Sequence, residues 1–130
     1  MHFVKRNVEK SEYLMHKHIH ALNIVNTPKI IEYENKTLVM EKINNMNISD
    51  LYGSCESDVP EYIFDEIREI ITLLDFYGIV YPDITGYNFI EYENKIWILD
   101  FEHAYFKKNK NDNFVSKFIN GLNMWNPEFK

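Results

Sequence analysis

The chain has 130 residues, a formal net charge of −6, 45% apolar and 15% aromatic residues, and a single cysteine. That length suffices for one hydrophobic core and not for two large ones, and the apolar share argues for a packed globular protein rather than a disordered one. The acidic balance disfavours a general binder of nucleic acid or anionic membrane, Cys55 has no partner for an intrachain disulfide, and no stretch reaches the length of a membrane span.

Residues 2–6 read as a short strand or extended arm, and Lys5, Arg6 and Glu9 stand where a secretory signal needs an apolar run. The expectation is a reducing, intracellular setting. From Ser11, a reasonable N-cap, to about Leu22 the spacing of Met15, Ile19 and Leu22 is helical. His16 and His20 share a face of that helix, but His18 points away and no adjacent Glu completes a zinc-hydrolase motif. Pro28 starts a hairpin, with Ile30 and Ile31 before Glu34-Asn35-Lys36 and Thr37 to Met40 after it. After an Asn-rich link, Ile48 to Tyr52 reads as one helical turn and Gly53 to Asp58 as a loop.

Asp58 and Pro60 then open the strongest helix, whose Ile63, Ile67, Ile70, Ile71 and Leu74 form one apolar stripe ending near Gly78. Ile79-Val80-Tyr81 reads as a brief strand, followed by a turn-rich loop holding Pro82, Asp83 and Gly86. A second hairpin runs from Phe89-Ile90 through Glu93-Asn94-Lys95 to Ile96–Leu99. The hexapeptide Ile-Glu-Tyr-Glu-Asn-Lys occurs at both 31–36 and 90–95, and shared turn chemistry is enough to account for it. Lys107, Lys108 and Lys110 belong to a solvated polar stretch, and Val115, Phe118, Ile119 and Leu122 give a last amphipathic helix closed near Gly121.

Three polar residues sit at a strand end and in a turn beside apolar strands: Asp83, Asn88 and Asp100. Each alone is a common turn or cap residue. Together, Tyr81-Pro82-Asp83-Ile84-Thr85-Gly86-Tyr87-Asn88 followed by Asp100-Phe101-Glu102 resembles the catalytic loop and magnesium-binding motif of protein kinases. Phosphoryl transfer needs a carboxylate near the acceptor hydroxyl and hard oxygen ligands for Mg²⁺ beside the phosphates. The resemblance implies that Asp83 orients and deprotonates the acceptor while Asn88 and Asp100 hold the metal.

Upstream, Thr37 to Ile43 resembles the strand and hinge that contact adenine, with Met40 at the back of the pocket and the backbone of Glu41 and Ile43 meeting the base. Ile90 would floor the same slot. Lys5 resembles the lysine that grips the α- and β-phosphates, and Glu12 its ion-pair partner; solvation and helix-dipole effects explain either residue equally. The implied fold is α+β, one minimal protein-kinase-like domain over 1–130. About 1–43 would form a reduced N-lobe of short strand, helix and hairpin. Residues 44–130 would form a truncated C-lobe of one long helix, catalytic loop, β-hairpin and C-terminal helix. The resemblance covers roughly 2–104, and its specific part is 81–102.

The departures matter too. Tyr81 and Pro82 replace the usual His and Arg, Thr85 replaces a Lys, and Glu102 replaces the Gly of the motif, a pattern more similar to atypical small or viral-type kinases and to the choline and aminoglycoside kinase branch. Glycine occurs only at 53, 78, 86 and 121, so no Gly-rich loop covers the phosphates, and the residues after Glu102 are too few for the usual peptide platform. Two readings follow. One is a minimal kinase, Ser/Thr-protein-kinase-like, using ATP and Mg²⁺ on a protein or small-molecule hydroxyl in the cytoplasm, including that of an infected host cell. The other is an inactive pseudokinase, a nucleotide-binding or protein-interaction module. In a variant of either, the chain forms a homodimer and the second copy covers the open site. Tyr77, Tyr81, Tyr87, Phe89 and Trp97 can stack on a ligand or fill the core, and His103 can touch phosphate or cap its loop.

Overall fold

The computed structural model describes residues 1–129. Three strands, β1 (His2–Lys5), β2 (Ile30–Glu34) and β3 (Thr37–Glu41), form an antiparallel sheet in the order β1-β3-β2. Helix α1 (Lys10–Leu22) joins the first two. Its N-cap falls two residues earlier than the sequence suggests, at Glu9, with Ser11 inside the first turn. Tyr13 N–H donates to the Glu9 carbonyl, so the backbone sets this start without a side-chain cap. At the far end Asn23 adopts a left-handed conformation, with φ of 55°.

Both hairpins turn through two consecutive left-handed residues, the geometry whose twist matches that of paired strands. In the first these are Asn35 and Lys36; in the second, between β5 (Phe89–Tyr92) and β6 (Lys95–Ile98), they are Glu93 and Asn94. The repeated hexapeptide is therefore used in two registers, one residue apart. Side chains alternate between the faces of a strand, so that slip changes which of them are buried. Ile90 is buried whereas its counterpart Ile31, at a bulge in β2, is exposed.

Helix α2 (Ile48–Tyr52) is capped by Asn47, whose side chain accepts from Asp50 N–H. A 3-10 turn (Glu56–Asp58) precedes α3 (Glu61–Phe76), so Asp58 lies in that turn and not at the helix start. All five stripe residues of α3 are buried, together with Phe64. They make α3 the spine of the larger core, which draws Ile19 from α1, Ile84 and Phe89 from the loop and hairpin, and Phe118 from α4 (Asn113–Ile119). Leu122, expected within α4, lies beyond its end. A smaller core of Val8, Leu38 and Met40 fills the sheet side.

Strand β4 (Ile79–Val80) pairs antiparallel with β7 (Tyr105–Phe106), a strand with no sequence signal of its own. Asn26 ties the loop after α1 to β6, donating to the Ile96 carbonyl and accepting from Ile98 N–H. On the other side Asn45 donates to the Glu91 carbonyl. Among the described residues no helix is long and apolar enough to cross a membrane.

The 3-10 turn Gly86–Asn88 packs against α2 so tightly that a Cβ on Gly86 falls 2.2 Å from Ser49 Oγ and 3.1 Å from both Ser49 N and Trp125 Cζ2. Two of those three neighbours are backbone or a buried ring, which yield little. Gly86→Ala is therefore expected to destabilise the fold by about 1–3 kcal/mol through overpacking. Chemical denaturation measures it, and an unchanged midpoint would show that α2 moves freely.

Candidate active site

Lys5 ends β1 and points across the gap between the sheet and the second hairpin. Its Nζ donates to Glu12 Oε2 at 2.6 Å and to Asp100 Oδ1 at 3.2 Å. Sequence places these three residues far apart; β1, the first turn of α1 and the end of β6 bring them into one ion-paired group. Burial acts most strongly on the Lys5 ammonium and lowers its pKa, but the hydrogen bonds and charges of Glu12 and Asp100 together outweigh it and the net shift is upward. On Glu12 the balance reverses. Burial, helped by the charges of Asp100 and Glu102, outweighs the Lys5 ion pair and lifts the carboxyl above its ordinary value.

Asp100 follows β6 by two residues and adopts a left-handed backbone with φ of 59°. Such a conformation is uncommon for residues other than glycine, asparagine and aspartate, and it turns the carboxylate out of the strand direction. The next residue, Phe101, is buried with its ring 4.9 Å from His16 and 5.9 Å from Tyr81. Carboxylate oxygens of Glu12, Asp100 and Glu102 lie within 4.8 Å of one another.

Asp83 sits in the loop between β4 and the 3-10 turn, and its backbone carbonyl accepts from Asn88 Nδ2 at 2.9 Å and from Thr85 N–H at 3.1 Å. With the Asn88 nitrogen committed to that bond, its Oδ1 is the end that can face a cation. Tyr81, where typical protein kinases carry His, is fully buried, and its hydroxyl donates to the Leu99 carbonyl just before Asp100. Leu99 N–H in turn donates to the Asn88 carbonyl at 2.8 Å. The loop segment from Tyr81 to Asn88 and the strand end are thus bonded to each other twice. Burial, then the charge of Asp100, lifts the Asp83 carboxyl above its usual range, against opposing effects of His103 and the Asn88 amide.

A cavity of about 470 Å³ opens between the sheet and the second hairpin. Met40, Ile43 and Ile90 give it an apolar end, and Lys5, Glu12, Asn88 and Asp100 a polar one, with Glu41 on the hinge wall. Of the residues the resemblance implies for catalysis, metal and nucleotide, Asp83 alone does not line it. The Glu41 carboxylate is taken by Lys29 N–H at 2.8 Å, and the Ile43 carbonyl accepts from Asn45 N–H at 2.9 Å. Tyr87, one of the aromatic residues weighed for stacking on a ligand, lies on the cavity wall, as does His16, weighed from sequence only for metal. Sequence reading missed Asn47 and Asp50, which carry a usable signal, an Asn-x-x-Asp capping pattern opening α2.

The three histidines go to separate partners: His16 to the Pro28 carbonyl, His20 to the Thr27 hydroxyl, and His18 to the ring of Phe106. His103 packs against Phe129 with 4.8 Å between ring centres. Tyr81 and Phe89 are core residues, whereas Tyr77 and Tyr87 are exposed. Lys107 pairs with Asp75 at 3.3 Å.

No curated protein matches the sequence. Among solved structures, the kinase PK-1 of the Cydia pomonella granulovirus is similar, with a TM-score of 0.55 and 16% identity over 81% of this chain. The chain spans 42% of that kinase's length, and the likeness is one of fold. The RIO domain family matches residues 2–120. That span runs from β1 through α4, includes every residue of the ion-paired group, and shows that the chain belongs to the RIO domain family, an atypical family with the protein-kinase-like fold.

Proposed function

We propose that this protein is an ATP- and magnesium-dependent phosphotransferase that moves the γ-phosphate to a hydroxyl, in the manner of a Ser/Thr protein kinase, with residues 1–43 and 44–130 working as one unit. The observation that carries the reading is the ion-paired group Lys5–Glu12–Asp100 on the wall of a cavity that is apolar at its other end. A volume of about 470 Å³ falls within the range of small-molecule sites, and the donor set fits the cofactor. Hard carboxylate and amide oxygens suit Mg²⁺, and a buried-stem lysine suits phosphate.

Met40, Ile43 and Ile90 would hold the adenine ring, and the backbone of Glu41 and Ile43 would meet its edge. Lys5 would bind the α- and β-phosphates, kept in place by Glu12. Asp100 and Asn88 would hold magnesium, with Glu102 near enough to join them. The bound cation would supply charge neutralisation along the triphosphate. Asp83 would accept the proton of the attacking hydroxyl, outside the nucleotide cavity and next to it.

A second reading, nucleotide binding without transfer, is favoured by one observation. Lys5 is held by two carboxylates, so it must yield part of that pairing to reach a phosphate. Calorimetry with ATP, with and without Mg²⁺, followed by assay of labelled γ-phosphate transfer to the chain itself, to general protein substrates and to small alcohols, separates the two. Magnesium-dependent binding with transfer is expected. Binding with no transfer to any acceptor would favour the second reading, and no binding at all would sink both.

A further inference from the structure

We propose that residues 123–129 form a strap that fixes the conformation of the loop around Asp83, with Asn126 as its positioning residue. The consequence for turnover rests on the phosphotransfer reading above; the clamp itself rests on geometry.

Asn126 is 3% exposed, and its polar groups are all engaged. Its backbone N–H donates to the Ile84 carbonyl at 2.8 Å, and its Nδ2 donates to the Pro82 carbonyl at 2.7 Å. Oδ1 accepts from Glu128 N–H at 3.1 Å, and the carbonyl accepts from Phe129 N–H at 3.1 Å. One residue therefore grips the carbonyls immediately before and after Asp83. Residues 81–85 belong to no strand or helix; within the loop the Pro82 carbonyl also accepts from Ile84 N–H at 2.8 Å, and the strap adds a second donor there and supplies one to the Ile84 carbonyl.

The strap is anchored on the core rather than on the loop it holds. Trp125 is 1% exposed, with its ring 4.6 Å from that of Phe64 on α3. Arg68, one turn further along α3, donates to the carbonyls of Phe118 at 2.7 Å and Leu122 at 3.0 Å, fixing the chain just before the strap. Beyond Asn126, Phe129 rests on His103, three residues after Asp100. The strap thus joins the rigid spine to both carboxylate-bearing segments. These residues lie outside the 2–120 span of the family match, which therefore assigns them no role.

Two variants of the full chain test this. Asn126→Ala removes both side-chain bonds, while Asn126→Asp keeps volume and the Oδ1 acceptor and sets a charged acceptor oxygen against the Pro82 carbonyl in place of the donor. Hydrogen exchange is followed at Ile84 and Thr85, whose N–H groups bond within the loop, and along α3 as reference. The expected result is about tenfold or faster exchange in the loop with α3 unchanged. In either variant kcat should fall by about 10- to 100-fold, as small misplacement of a reacting group does, with the ATP dissociation constant within twofold. Unchanged loop exchange in a folded variant overturns the proposal. So does acceleration of all amides together, which marks general destabilisation. If the wild-type chain binds ATP without transferring phosphate, the exchange result still decides the strap while the transfer reading falls by itself.

Discussion

Asp83→Asn is expected to lower phosphate transfer by about 10² to 10⁴-fold, the range for loss of a positioned general base, while leaving the affinity for ATP and Mg²⁺ within about twofold. The split follows from where the residue stands. Asp83 does not line the cavity, and its backbone carbonyl receives the 2.9 Å bond from Asn88 Nδ2. The substitution keeps shape and backbone and removes the proton acceptor together with its charge. Its effect on stability should have the opposite sign. The Asp83 carboxyl is lifted above its ordinary value, first by burial and then by the charge of Asp100. A carboxyl raised in the folded state contributes stability that is complete below its unfolded value and is lost as pH rises through the folded one. At neutral pH the charged carboxylate is therefore a net strain on the unliganded fold, and the neutral amide should raise the melting temperature. A variant that loses activity and also melts lower would mean that Asp83 is a structural residue.

That combination separates a catalytic carboxylate from a turn residue, an ambiguity that sequence alone left open. The apolar stripe of α3 was legible because a 3.6-residue period survives in any context, and both hairpins were legible from their Glu-Asn-Lys turns. The shared fold was legible because Asp83, Asn88 and Asp100 keep a spacing that few loops share. What escaped was whatever depends on distant partners. Strand β7 is two residues long and exists because Ile79 and Val80 offer it an edge. The one-residue slip between the two copies of the hexapeptide goes with different distant partners, Tyr33 reaching the Val8 carbonyl in one and Glu91 accepting from Tyr52 and Tyr62 in the other, contacts no local pattern announces. The strap carries neither helical nor strand periodicity, so Trp125 and Asn126 read as tail residues until their partners are seen.

The largest effect is expected at Asp100. In Asp100→Asn, Mg²⁺ should no longer tighten ATP binding, and transfer should fall by about 10³-fold or more, since a bound cation supplies several kcal/mol of charge stabilisation. The substitution is clean for a backbone reason. Asp100 has a φ of 59°, a region that asparagine enters as readily as aspartate, so the turn after β6 should persist. Lys5 keeps its 2.6 Å bond to Glu12 and exchanges the longer ion pair with Asp100 for a neutral amide oxygen that can still accept, so Lys5 should remain in place. ATP without metal should therefore bind the variant at least as well as the parent, because one negative charge facing the triphosphate is gone. Calorimetry in EDTA and in excess Mg²⁺ reads the two affinities directly. If magnesium still tightens binding in the variant, the Asp100 carboxylate is not the ligand; with Glu12 and Glu102 oxygens inside the same 4.8 Å group, the cation would then have to rest on those carboxylates together with Asn88.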